Sequence, residues 1–337
     1  MRNLTIVVLF ALTGALVIFS FSELETIART IQNAHLRYFI LGLILQWVWF
    51  LVLGRMYKSI YRLLEINEST SNLVRIAAAA NFINVVAPTA GMGGIALFAS
   101  EARRKGHPPG RATVAAALFL LFDQAAFICI LALGFLVLIR RNDLNTGEIT
   151  AAIILLCIFL AFVLLLYLGY RSENILGNTL ASIARGLNRI SKVIIGRDYL
   201  SEQRAHDFAG EIADGLAGLS EKPRSLVPPI LWGLLNKSLL MAVLASAFLS
   251  FEVPFSAGTI VAGFAMGYLF FLISPTPSGI GIVEGLMPVA LSSLRVDWSQ
   301  AVIVTLTYRA ITFWFPLGIG ALNFRALHRV EPPAISS

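Results

Sequence analysis

The chain has 337 residues, of which 57% are hydrophobic and only 13% charged, with a formal net charge of +7 and a mean hydropathy of +0.79. A water-soluble domain carries about a quarter charged residues, so that class is excluded and the chain reads as a polytopic membrane protein. Its basic residues sit beside apolar runs, where they orient spans and meet anionic lipid, and no nucleic-acid partner is expected.

The first apolar run covers 4–22. Met1-Arg2-Asn3 gives it a basic start like a signal peptide's. The run is long for one, and no small-residue cleavage site follows Phe21-Ser22-Glu23-Leu24, so a retained anchor is expected. Further runs at 36–54, 111–139, 149–170, 226–250 and 299–322 are each long enough to cross about 30 Å of hydrocarbon at about 1.5 Å per residue. Cys129 and Cys157 fall inside two of these runs and read as small packing residues, not as a disulfide.

Two other apolar stretches are interrupted. Asn72 to Arg104 breaks at Pro88-Thr89-Ala90-Gly91-Met92-Gly93-Gly94. Ala257 to Leu294 breaks at Ser274-Pro275-Thr276-Pro277-Ser278-Gly279-Ile280-Gly281. Each break is followed by a helix too short to span a bilayer. Paired interrupted segments of this kind point to a transporter-type site near the midplane. Pro88, Gly91, Gly93, Gly94, Pro275, Pro277, Gly279 and Gly281 are the expected turn residues.

Positive charge decides how the broken units lie. If both re-enter and the N-terminus is cytoplasmic, nineteen of the 26 Lys and Arg residues face the cytoplasm. Only Arg29, Arg37, Arg140, Arg141 and Arg295 then lie outside, and Lys237 and Arg309 fall within spans. Spanning units give a weaker bias, so re-entry is favoured. Three crossings separate the units, so they are inverted and their breaks approach each other. The predicted fold is all-α: a membrane helix bundle of about six full spans and two inverted re-entrant broken-helix units. One domain is expected over 1–337, with two N-terminal spans (1–70), a first repeat (71–170), a connector (171–224) and a second repeat (225–325). In the connector, Leu180, Ile183, Leu187, Ile190 and Ile194 recur at helical spacing, which predicts an amphipathic cytoplasmic helix or a helix packed on the bundle.

Charged groups in spans are costly and need a reason. Glu101 ends the first short helix and Glu284 opens the second; Asp123, Lys237 and Arg309 lie within predicted spans. Two readings stand: buried ion pairs that hold the bundle, or groups that bind a headgroup or relay a proton. Asn81, Asn84, Thr89, Thr276, Ser278 and Tyr308 supply neutral hydrogen-bonding groups around the same place, and Gly263 and Gly267 read as packing residues. The four histidines show no metal-ligand spacing and no nucleotide-binding loop is present, so no cofactor is expected.

The segments SPTPSGIGIVEG (274–285) and TYRAITFWFPLGIG (307–320), with PTAGMGGIALFASEARRKGHPPGRA (88–112) more loosely, resemble the transmembrane region of lysylphosphatidylglycerol synthases, the flippase-like domain. The resemblance extends over essentially the whole chain. In that family it implies movement of aminoacylated phosphatidylglycerol between leaflets, with a separate soluble domain making the lipid. The chain ends at Ser337, soon after its last predicted span, so the soluble synthase activity is not expected to carry over. Gly93-Gly94-Ile95 stands where many relatives have Arg-Gly-Glu, and Ser278-Gly279 where a double glycine is usual. The resemblance implies a lipid flippase of the cell membrane; the charge distribution puts both termini in the cytoplasm. Its substrate would be a phospholipid, such as aminoacylated phosphatidylglycerol, or a polyprenyl-linked lipid. Expected partners are membrane lipids, anionic or aminoacylated, and a separate lipid-modifying synthase. The alternatives are an integral-membrane glycosyl or aminoacyl transferase, and a non-transporting anchor for such a synthase.

Overall fold

The computed structural model describes residues 34–86, 92–107, 109–141, 146–172, 174–182, 223–274 and 276–328, with isolated positions between 185 and 210. The predicted run at 4–22, most of the connector (with Ile183, Leu187, Ile190 and Ile194), and Pro88, Thr89, Gly91 and Pro275 lie outside the described residues.

Every described regular element is helical. In chain order these are α1 (Leu36–Leu63), α2 (Thr70–Val86), α3 (Met92–Arg104), α4 (Pro109–Arg141) and α5 (Thr146–Arg171). A 3₁₀ turn at Pro223–Leu226 leads into α6 (Val227–Ser250), whose first turn accepts Pro228 and Pro229 because those N–H groups have no helical partner anyway. Then come α7 (Ala257–Ile273), a 3₁₀ turn at Pro277–Gly279, α8 (Ile282–Ser293) and α9 (Trp298–Arg309). A π-helical turn at Ala310–Trp314 joins α9 to α10 (Phe315–His328). Pro316 cannot donate to the carbonyl of Thr312, so the ladder is already interrupted where the helix widens.

Four described stretches are long and apolar enough to cross a membrane: Leu36–Leu63, Gly110–Arg140, Arg224–Ser250 and Trp298–Ala326. The outer faces of the helices carry the membrane signature. Ile44, Trp47 and Leu51 on α1, and Ile153, Ile158 and Leu164 on α5, are exposed. Gln46, Asp123, Asn236, Lys237, Thr305 and Arg309 are buried. An apolar exterior around a polar interior is stable only when the exterior meets lipid. The chain is a helical membrane bundle.

Two details depart from expectation. Helix α1 runs nine residues past the predicted 36–54 run, to Leu63, because the polar turns bearing Arg55, Lys58 and Arg62 remain helical. Cys129 and Cys157 are free but exposed on apolar helices, so they belong to the outer surface and are not packing residues.

The interrupted stretches fold as helix pairs. Helices α2 and α3 pack on each other, as do α7 and α8, and α2 also touches the Pro277–Gly279 turn. The first pair is 17 and 13 residues long and the second 17 and 12. At about 1.5 Å per residue no member of either pair reaches the roughly 20 residues a span requires. Helix α7 starts with a capping box between Ser256 and Thr259, and its close approach to α8 runs through Gly263 and Gly267. A Cβ at Gly263 would meet Leu291 Cδ2 at 2.6 Å, and one at Gly267 would meet Met287 Sδ at 2.8 Å. Helices α1 and α6 pack antiparallel, tied where the N–H of His35 donates to the carbonyl of Ser250 (2.7 Å).

Candidate functional site

The second break is built around an unusual backbone. Ser278 has φ 51°, Gly279 φ 72° and Gly281 φ 79°. Glycine takes this left-handed region freely; serine does so at a cost and needs support from its surroundings. That support is visible. The Thr276 hydroxyl donates to the carbonyl of Ile280 (2.8 Å), and the N–H of Gly279 donates to the carbonyl of Thr276 (3.1 Å). Arg309 Nη2 donates to the carbonyl of Ser278 (3.1 Å), while its Nε donates to Glu284 Oε1. The other Glu284 oxygen accepts the N–H of Gly281 (2.7 Å), so one carboxylate both caps α8 and grips the arginine. Arg309 also lies over the ring of Phe313, 4.5 Å from its centre, within the π-turn.

A second buried ion pair lies beside it. Lys237 Nζ on α6 donates to Asp123 Oδ2 on α4 (2.7 Å) and to the Tyr268 hydroxyl on α7 (2.6 Å). The Tyr268 hydroxyl in turn lies 3.4 Å from the same Asp123 oxygen. Lys237 is 1% exposed and Asp123 8% exposed, so the pair sits in the interior, where removing one partner would strand a charge.

Asp123, Lys237 and Arg309 face one cavity of about 230 Å³ between α1, α2, α4, α6, α7, α9, the Pro277–Gly279 turn and the π-helical turn. Of the residues singled out from sequence, Asn84, Asp123, Lys237, Ser278, Tyr308 and Arg309 line it, as does Asn81. Glu284 lies one bond behind, through Arg309. Thr276 is in the turn and holds its backbone. Glu101 stands apart: it is buried and pairs with Arg104 (2.8 Å) on the same helix, away from the cavity wall. The first break presents a neutral group instead, with the N–H of Gly94 donating to Asn84 Oδ1 (2.8 Å).

Sequence reasoning missed the amides and aromatics of the opposite wall. Gln46 and Trp49 on α1 line the cavity, as does Asn236 on α6. Both polar atoms of Gln46, the indole N–H of Trp49 and the amide nitrogen of Asn236 are buried without a hydrogen-bond partner among the described residues. Orphaned groups of this kind are expensive in a dry interior and are explained by a polar occupant or water. The two ion pairs balance, two acids against two bases. What the cavity offers a ligand is therefore neutral hydrogen-bonding groups at once, and full charges only if the pairs open.

A family model described as the lysylphosphatidylglycerol synthase TM region matches residues 4–320. No curated protein matches the chain.

Proposed function

The chain belongs to the lysylphosphatidylglycerol synthase transmembrane-region family, and from that premise we propose that it moves a phospholipid headgroup between leaflets through the central cavity. The observation that carries the reading is that members of two buried ion pairs and a set of unpartnered amides face a single cavity beside a strained helix break. An aminoacylated phospholipid fits this set, because its headgroup carries an ammonium and a phosphate together. Asp123 would take the ammonium and Arg309 the phosphate, each leaving its present partner as the headgroup arrives. An exchange of partners keeps every charge compensated during passage, which a low-dielectric interior demands. Both helix pairs would re-enter from opposite faces with the termini cytoplasmic, as the distribution of Lys and Arg favours.

Reconstitution tests the reading. Purified protein in liposomes should carry labelled aminoacylated phosphatidylglycerol across the bilayer with no chemical change to it. Formation of a new lipid product would instead indicate a transferase, and neither result would indicate an anchor for another enzyme. Orientation is tested separately. With Cys129 and Cys157 replaced, a cysteine at Lys105 should be labelled only from the cytoplasm and one at Arg141 only from outside. Labelling of position 105 from outside overturns re-entry.

A further inference from the structure

Helix α1 changes character along one exposed stripe. Ile44, Val48 and Leu51 are exposed, and Arg55 continues the same face one turn later, followed by Lys58 and Arg62. The spacing of three and four residues keeps these side chains on one side of the helix. From Leu36 to Arg55 the helix rises about 28 Å at about 1.5 Å per residue, close to the hydrocarbon thickness of a bilayer. Arg55 therefore stands where acyl chains end and headgroups begin.

The antiparallel neighbour makes the same change at the same level. Arg224 is exposed just ahead of α6, followed by the exposed Val227, Ile230 and Leu231. Between the two helices lies a groove of about 500 Å³ whose charged lining is Arg55, Lys58, Arg62, Arg224 and Glu65, with Trp232 on its wall. Glu65 is turned toward Arg111, 4.0 Å away. None of the four cations has a carboxylate partner among the described residues. Like charges three and four residues apart on a helix repel by a few tenths of a kcal/mol, so an anion held among them is favoured.

We infer that this groove docks the phosphate of an anionic phospholipid, with its acyl chains along the exposed apolar faces of α1 and α6. The site is separate from the central cavity: Leu53 and Tyr57 face the cavity from α1, whereas Arg55, Lys58 and Ser59 face the groove. It does not depend on the transport reading. Trp232 is at headgroup depth, where an indole with one wet edge is favoured.

The test is lipid retention by the full-length protein. Purified in detergent with equal phosphatidylglycerol and phosphatidylcholine, the parent should keep phosphatidylglycerol selectively, as counted by native mass spectrometry. Arg55→Gln and Arg224→Gln, from different elements, should each reduce that preference about fivefold at low salt. The quadruple change that adds Lys58→Gln and Arg62→Gln should abolish it. Arg140→Gln, at the end of α4 away from the groove, should leave it unchanged. Raising salt should weaken retention in the parent and not in the quadruple variant. Equal retention of both lipids by the parent, or a preference untouched in the two single variants, overturns the inference. If inorganic phosphate displaces phosphatidylglycerol at equal concentration, the groove reads free phosphate and the lipid assignment is wrong. Because retention is counted without any transport step, failure of lipid movement leaves this result intact.

Discussion

The two broken helix pairs share a plan and differ in where their charges sit. In the α7–α8 pair the charge is at the break itself: Glu284 caps α8 and holds Arg309, which in turn holds the carbonyl of the left-handed Ser278. In the α2–α3 pair the break is held by a neutral amide, Asn84 to Gly94. Its charges lie at the far ends, where Glu68 meets Lys105 (2.9 Å) and Glu101 meets Arg104. A buried charge pair fixes backbone geometry strongly and penalises any change that leaves one charge alone; an amide does both more weakly. The second break is thus the more strongly held part of the cavity wall, and the Asn84–Gly94 contact is the weaker tie.

The sharpest way to break this comparison is to remove one partner of the locked turn. Arg309→Ala leaves the Glu284 carboxylate buried and should cost about 3–5 kcal/mol, read as a fall in the denaturation midpoint of the purified protein. The paired change Arg309→Met with Glu284→Gln removes both charges and should recover most of that loss. On the transport reading the paired variant folds yet does not move lipid. Normal transport by it would assign the pair to structure alone.

The first break should respond less. Asn84→Leu deprives the Gly94 N–H of its acceptor and should cost about 1–3 kcal/mol. A loss as large as that of Arg309→Ala would show that both breaks are equally locked. Gly279→Ala sharpens the same point on the other side. Its φ of 72° disfavours any side chain, and a Cβ would meet Phe271 Cα at 3.3 Å and Val283 Cγ2 at 2.7 Å. A loss of about 1–2 kcal/mol is expected from the backbone conformation, with lipid transport per folded molecule reduced further. Transport equal to the parent's would remove this turn from the passage.

Much of this architecture is legible in the sequence. Proline and glycine clusters mark helix breaks because they change the backbone directly, and both breaks lie where those clusters stand. Asp123, Lys237 and Arg309 stood out because a charge in an apolar run is rare and costly. Which charge meets which was not legible: Lys237 and Asp123 are 114 positions apart, and only the packing of α4 against α6 joins them. Glu101 resembled Glu284 in its place beside a short helix, but it sits at the end of α3, a full helix away from the break, where Arg104 is nearest. Gln46, Trp49 and Tyr268 gave no signal, since a single amide or aromatic in an apolar helix has no period to betray the face it shows. Arg55, Lys58 and Arg62 read as orientation signals, and their convergence with Arg224 depended on α1 and α6 running antiparallel.

The smallest effect is expected at the ends of the first pair, and its sign is fixed by chemistry. Burial pushes the Glu68 carboxyl up, but its bonds to Lys105 and to the N–H of Ser69, with Lys105 and His107 nearby, outweigh this and hold it below the ordinary glutamate value of 4.5. A group lowered in the folded state stabilises the fold fully above its ordinary value and loses that contribution as pH falls through the lower, folded one. The stability difference between the parent and Glu68→Gln should therefore be present above the ordinary glutamate value and be lost as acidification carries the pH through the lower, folded one. Lys105→Gln should shrink it at neutral pH, since the lysine supplies the bond and much of the field. The α7–α8 turn has no part in this titration, so Glu68→Gln should leave the effect of Arg309→Ala unchanged, additive within about 0.5 kcal/mol. A difference that instead grows as the pH falls would mean that the carboxyl is raised. In that case the ends of the first pair are not held by charge, and the contrast between the two breaks would rest on the turns alone.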